Sequence, residues 1–247
     1  MITTTPLSKA LGTGIFNGTI REASIVSEES LAGESKRRKI DVRHELMGLK
    51  SWGVITRQDR SGTHLVRYSE EERFRVLNAR GMFELLSAHE LVNVLIHTPE
   101  NERYTKLSAL SQSLENMKKH GASGNFEEFF RAEIDFHVGI AEAIGSNFQA
   151  TFTCNLDLMT FLGGTSRAIN SLSNNSQKAE LIIKYSNAII EEHQDIFSAF
   201  ISLDREKVDL CLRSNIKNAY DYWRNKAEEL LKPGMKDLDK VRILVAS

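Results

Sequence analysis

Residues 28–55, EESLAGESKRRKIDVRHELMGLKSWGVI, decide how the chain is read. A helical period gives two short helices joined by a tight basic turn. Leu31 and Ala32 supply the apolar side of the first. Val42, Leu46 and Leu49 recur at i, i+4 and i+7, and they predict the buried stripe of the second. Lys39 and Arg43 stand i, i+4 on the opposite face, so both point into solvent. Arg37 and Arg38 lie in the turn, with Asp41 the one acid among these cations. A short helix with cations on its outer face suits the major groove of DNA, with phosphate contacts from the flanking bases. A charge run by itself is more often a solvated face, so the parts that follow it carry the argument.

After the second helix come Trp52-Gly53-Val54-Ile55, a polar turn RQDRSG, and Thr63-His64-Leu65-Val66. Gly53 suits the position just past a helix C-terminus. Val54-Ile55 and Leu65-Val66 are β-prone runs around a turn that ends in Gly62, which predicts a small hairpin. This order of parts resembles the GntR family of bacterial transcription regulators, whose winged helix-turn-helix head runs LAxxLGVSRxPVRxALxxLxxxGLV. Leu31-Ala32, Val42-Arg43, Leu46, Leu49 and Gly53-Val54-Ile55 stand at matching spacing, with Gly62 in the wing. Arg38, Lys39, Ile40 and Asp41 replace the Ser-Arg-x-Pro core. Lys39 keeps the cation, Arg38 adds a charge, and Asp41 suits the first turn of a helix, where the dipole favours an anion. The resemblance implies a double-stranded DNA operator as partner, met by Arg37, Arg38, Lys39, Arg43, Gly62 and His64. For His64 the alternative is an ordinary surface histidine.

Length and composition agree with such a protein. The chain has 247 residues, 41% hydrophobic and 26% charged, enough for one large or two small domains with a proper core. Three prolines and few strand-like runs predict a mostly helical fold. The net charge of −1 excludes a generally basic nucleic-acid coat and leaves the positive charge local. Cys154 and Cys211 are too few for a disulfide framework and read as core residues in a reducing compartment. No apolar run approaches the roughly 18–20 residues that cross a bilayer. The start shows no signal-peptide pattern. The expected location is the cytoplasm, without a membrane partner.

Leu7 to Phe16 predict a first helix, and Ser27 an N-cap for the reading head. Ser69-Glu70-Glu71-Glu72 is a capping box opening a long helix to about His97, with Phe74, Leu77, Leu85, Ala88, Leu91, Val92 and Leu95 as its apolar side. Thr98-Pro99 starts one further helix with the stripe Leu107, Leu110, Leu114, Met117. Asn125 to Glu128 read as a second capping box. The helix it opens ends at Gly145-Ser146-Asn147, and the next runs through Phe152, Leu156, Met159 and Phe161. Two long helices, at about 177–201 and from Asp204 to about Leu231, close the bundle, and Lys232-Pro233-Gly234 stops the last. The expected architecture is thus a winged helix-turn-helix domain over 1–68, an antiparallel bundle of about six helices over 69–234, and a tail over 235–247. The order of capped helices and the GSN break resemble the FadR C-terminal ligand-binding domain, which accompanies this head in the FadR subfamily.

Polar residues interrupt the buried stripes of that bundle. Glu133 and His137 stand i, i+4 in the stripe of the 126–144 helix and reach the same spot. His193 interrupts Ile189, Ile190, Ile196, Phe197, Phe200. Asn215 interrupts Val208, Cys211, Leu212, Ala219, Trp223. Each lies 11 residues from the turn at Asp204, so the two sit level across an antiparallel pair. Burying four such groups is costly unless they satisfy one another or bind something. One reading is a hydrogen-bonded polar cluster with no ligand. In one subclass of FadR-type domain an Asp-x-x-x-His pair and two later histidines bind a divalent metal. The resemblance then implies Glu133, His137 and His193 as ligands for zinc, nickel or manganese, with Asn215 where a third histidine is expected. Asn is a poor ligand for zinc and a tolerable one for harder ions. Arg80 matches the family's Arg-x-x-x-Glu with Glu84. The resemblance places it in the effector cavity, where a guanidinium captures a carboxylate. The alternative is an ion pair with Glu84. Arg167 is a weaker candidate.

These residues predict a dimeric regulator that binds a palindromic operator and takes a small organic acid at Arg80, Glu133, His137, His193 and Asn215. The competing readings are a metalloenzyme, which would lack a nucleophile and leave the basic head unexplained, and a ligand-free helical scaffold.

Overall fold

The structure is a computed structural model, and it describes residues 24–51, 55–59, 62–65, 69–160 and 175–230. The expected helix at 7–16, Gly53, the tip of the RQDRSG turn, Phe161, Arg167, the stop at 232–234 and the tail lie outside the described residues.

The head is built as β1 (Ile25–Val26), α1 (Glu28–Ser35), α2 (Lys39–Ser51), β2 (Ile55–Asp59) and β3 (Gly62–Leu65). Ser27 caps α1: its hydroxyl accepts from the Ser30 N–H at 2.9 Å. Lys36 ends α1 in the left-handed region at φ 53°, which turns the chain into α2. Leu31, Val42 and Leu46 are buried at 1% exposure or less, so the apolar stripe read from the sequence is the one that packs. Two expectations need correction. The stretch before Ser27 is not a plain lead-in: Ile25 and Val26 form a strand on β3, which makes the wing a three-stranded antiparallel sheet in the order β1-β3-β2. Thr56 to Asp59 belong to β2 rather than to the turn, with Gln58 opposite Thr63 and Asp59 opposite Gly62.

Gly62 has φ 129°, and a Cβ there would stand 2.9 Å from the Val26 carbonyl oxygen and 2.8 Å from the Ile25 side chain. Both the conformation and the space demand glycine. We expect Gly62→Ala to lose about 1–3 kcal/mol through strain and the displaced β1. Denaturant unfolding of the variant against the parent measures it.

Beyond residue 69 the described chain is helical: α3 (Glu70–Ile96), α4 (Glu100–Lys106), α5 (Ser108–Ala122), α6 (Phe126–Ala143), α7 (Asn147–Thr160), α8 (Asn175–Ile201) and α9 (Arg205–Leu230). The Ser69–Glu72 capping box is present in both directions, at 3.1 and 2.8 Å. The Asn125 side chain caps α6 by accepting from the Glu128 N–H at 3.3 Å. The helix expected after Thr98-Pro99 is two helices, because the backbone breaks at Leu107. Leu107 is 1% exposed, and the expected stripe Leu107, Leu110, Leu114, Met117 is buried although the helix is interrupted there. The bundle therefore has seven described helices rather than about six.

The main core joins α3, α6, α8 and α9 through Leu91, Leu95, Phe136, Ile196, Phe200 and Leu212. Each large side chain buried there contributes about 1.5–3 kcal/mol. Glycine lets α3 and α9 approach: a Cβ on Gly81 would stand 2.9 Å from Ile216. The α6 helix thus runs between α5 and α7 and also meets α3 and α8, which puts its polar interruptions at the centre of the bundle.

Candidate functional site

His137 on α6 and His193 on α8 are fully buried, and their Nε2 atoms face each other at 3.1 Å. Phe136 packs edge-on against both rings, with ring centroids 5.9 Å from His137 and 4.9 Å from His193. His193 Nδ1 lies 2.7 Å from the Ile189 carbonyl oxygen, which only accepts, so Nδ1 carries the proton. Burial pushes His193 down to about 3, so its ring is neutral and Nε2 offers a lone pair. His137 Nδ1 lies 3.4 Å from Glu84 Oε2. Burial works to raise the Glu84 carboxyl, but the Arg80 guanidinium and the His137 ring outweigh it and hold it at about 2. The Glu84 carboxylate faces His137 Nδ1, which leaves Nε2 as the atom turned to His193. The gap between the two Nε2 atoms therefore suits something positive, a shared proton or a metal ion.

Glu133 distinguishes these. One ligand atom each from Glu133, His137 and His193 fall within 4.8 Å of one another, as their i, i+4 spacing and the α8 stripe predict. Glu133 Oε2 is buried without a hydrogen-bond partner, and burial raises the carboxyl above its ordinary value. A proton shared by the histidines leaves that oxygen unsatisfied, whereas a divalent cation answers all three groups. Two imidazole nitrogens on one ion stand about 2.9–3.4 Å apart, depending on coordination angle, which brackets the observed separation. The outer layer is partly in place. The Ile189 carbonyl fixes the His193 tautomer, and the Glu84 carboxylate stands 3.4 Å from His137 Nδ1 without a hydrogen bond.

Two expected members sit differently. Arg80 is buried at 7% exposure and its Nε donates to Glu84 Oε1 at 2.6 Å, so the Arg-x-x-x-Glu spacing makes a buried ion pair. Asn215 is level with His193, as the hairpin count predicts, but its amide donates to Glu192 Oε2 at 2.7 Å. Asn218 donates to the other Glu192 oxygen at 2.7 Å. Asn215 is therefore a partner of Glu192. Sequence reading missed Glu192 and the Glu84–His137 contact. Glu192 is next to His193, and its polarity beside a buried histidine was the available signal.

In the head, Lys39 and Arg43 lie on the exposed face of α2. Arg43 pairs with Glu28, Arg38 with Asp41 and Arg37 with Glu45. Gly62 and His64 lie in β3, the central strand of the wing, with His64 opposite both Ile25 and Arg57. No described helix is long and apolar enough to cross a membrane.

A winged helix-turn-helix head thus precedes a helical bundle with a buried histidine and carboxylate cluster. The FCD domain matches residues 76–218, so the chain belongs to the FCD family, the C-terminal domain of GntR-type regulators. Among solved structures, E. coli McbR/YncC is similar at TM-score 0.70 and 16% identity, covering 92% of this chain and 100% of that one. A putative GntR transcriptional regulator from Rhodococcus sp. RHA1 is similar at TM-score 0.63 and 15% identity, covering 91% and 99%. No curated protein matches in sequence.

Proposed function

We propose that the protein binds an operator through α2 and the wing, and that the bundle takes a divalent cation together with a small organic acid. The observation that carries the second half is the buried, unpartnered Glu133 oxygen beside two histidines with facing Nε2 atoms. Glu133, His137 and His193 hold the cation, and zinc, nickel and manganese all accept such donors. When bound, the cation supplies a positive centre for an anion. That centre is needed, because among the described residues Glu84, Glu133 and Glu192 stand against one guanidinium, that of Arg80. Three protein donors, with Asn215 held by Glu192, leave the acid to complete the coordination. Arg80 serves the effector through Glu84 and through its field rather than as a lone clamp.

The head acts as one half of a homodimer on a palindromic operator. A ligand in the bundle alters operator affinity by whatever difference it makes between the two arrangements of the heads. Lys39 and Arg43 contact DNA from α2, with Arg37 and Arg38 on the flanking phosphates. Gly62 and His64 shape the wing. We expect Arg43→Ala to weaken binding to an operator selected from random duplexes by about 1–3 kcal/mol, with the chain still folded. Gel retardation of parent and variant at equal salt checks this; equal affinities would exclude the docking of α2. Adding metal with malonate in the same assay tests the response to ligand, and unchanged operator affinity would refute it.

A further inference from the structure

We infer that Glu28 is a specificity-determining residue of the DNA-reading head: by holding Arg43, it suppresses sequence-independent binding to the phosphate backbone. The inference rests on the proposed DNA role of α2. Arg43 Nε stands 3.1 Å from both Glu28 oxygens and its terminal nitrogen 2.7 Å from Oε2. The pair joins the first residue of α1 to the outer face of α2. The pattern repeats in the turn, where Arg38 gives Asp41 two hydrogen bonds at 2.8 and 2.9 Å, and Arg37 meets Glu45. Over residues 24–51 six Lys and Arg face five Asp and Glu. The three arginines of this stretch are thus each met by a carboxylate, and the positive charge of the turn is that of Lys36 and Lys39.

Sequence-independent affinity grows with the number of phosphates that cations neutralise. An arginine already paired with a carboxylate neutralises little, and its carboxylate repels the approaching phosphate. The pair is also exposed on the Arg43 side, with 52% of that side chain open to solvent. Exposed ion pairs are weak. A guanine edge, which offers two acceptors in the plane of the guanidinium, can therefore take Arg43 from Glu28 where a single phosphate oxygen gains less. The carboxylate acts against the wrong partner more than against the right one, which is how specificity is raised without new contacts.

The test compares the full chain with Glu28→Gln and with Glu34→Gln, which removes the same charge from an exposed residue of α1 that pairs with no arginine among the described residues. Fluorescence anisotropy follows binding to a random-sequence duplex and to an operator selected with the parent, from about 50 to 200 mM salt. Glu28→Gln should bind the random duplex roughly five- to tenfold tighter at the low end, with the log–log salt slope steeper by about 0.9. Its operator affinity should change by less than about twofold, so the specificity ratio falls. Glu34→Gln should leave the slope unchanged. Asp41→Asn, which frees Arg38, should act in the same direction and replaces Glu28→Gln if that variant melts early. An unchanged slope in both paired variants, an equal gain in Glu34→Gln, or weaker binding to both duplexes would overturn the inference. A parent that binds no duplex at the low salt would overturn the DNA reading itself, and this with it.

Discussion

Glu84→Ala is expected to cost the bundle about 3–5 kcal/mol, because it leaves the Arg80 guanidinium buried without its carboxylate. Glu84 is 1% exposed and Arg80 7% exposed, so water cannot take over the lost pairing cheaply. His137 loses the carboxylate facing its Nδ1 at the same time. In a bundle of this size the change should lower the melting temperature by roughly 10 °C. Calorimetry or denaturant unfolding of the variant measures it. The double change Arg80→Met with Glu84→Leu should cost less than Glu84→Ala alone, since it removes both buried charges and keeps the volume. A single variant within about 1 kcal/mol of the parent would show that the pair contributes little to the fold.

The other large effect is expected at His137. Adding zinc, nickel or manganese to metal-stripped parent should raise its stability by about 2.7 kcal/mol at a hundredfold excess over the dissociation constant, since the ion binds the native state alone. His137→Ala should show no such rise. It removes one of three donors and leaves His193 Nε2 without the partner it faces at 3.1 Å. Malonate should add to the melting shift when metal is present and do nothing in its absence. Without a cation the Glu84, Glu133 and Glu192 carboxylates oppose an incoming anion. A malonate shift of equal size in stripped protein would mean that Arg80 captures the acid unaided. Thermal melts across these four conditions separate the outcomes.

Much of this was legible from spacing. The stripes of α2 and α3 follow the helical period, and their buried apolar side chains are the ones the period selects, whereas on α6 the fully buried Phe136 lies outside the stripe read from the sequence. The meeting of Glu133, His137 and His193 is legible as polar residues on the stripes of α6 and α8, since a helix face fixes which side chains meet. The break at Leu107 carries no Gly or Pro, the residues by which a sequence marks such a break. β1 is two residues long and is a strand only because β3 pairs with it. Counting from Asp204 places Asn215 level with His193 but does not give the direction of its side chain around α9, which Glu192 decides. The Arg80–Glu84 spacing was plain, whereas the approach of Glu84 to His137 depends on how α3 and α6 pack. The basic turn reads as a positive patch in the sequence. Folding brings Glu28 and Glu45 to Arg43 and Arg37 from other turns of the chain.

The central claim is that Glu133, His137 and His193 hold a divalent cation. Elemental analysis of protein purified without added metal or chelator, with His137→Ala beside it, tests it most directly. The parent should carry a divalent ion, lose thermal stability when stripped and regain it on reloading, while His137→Ala should carry less than about one-tenth of an ion per chain. Less than about one-tenth of an ion in the parent as well, with no melting shift on adding zinc, nickel or manganese, would contradict it.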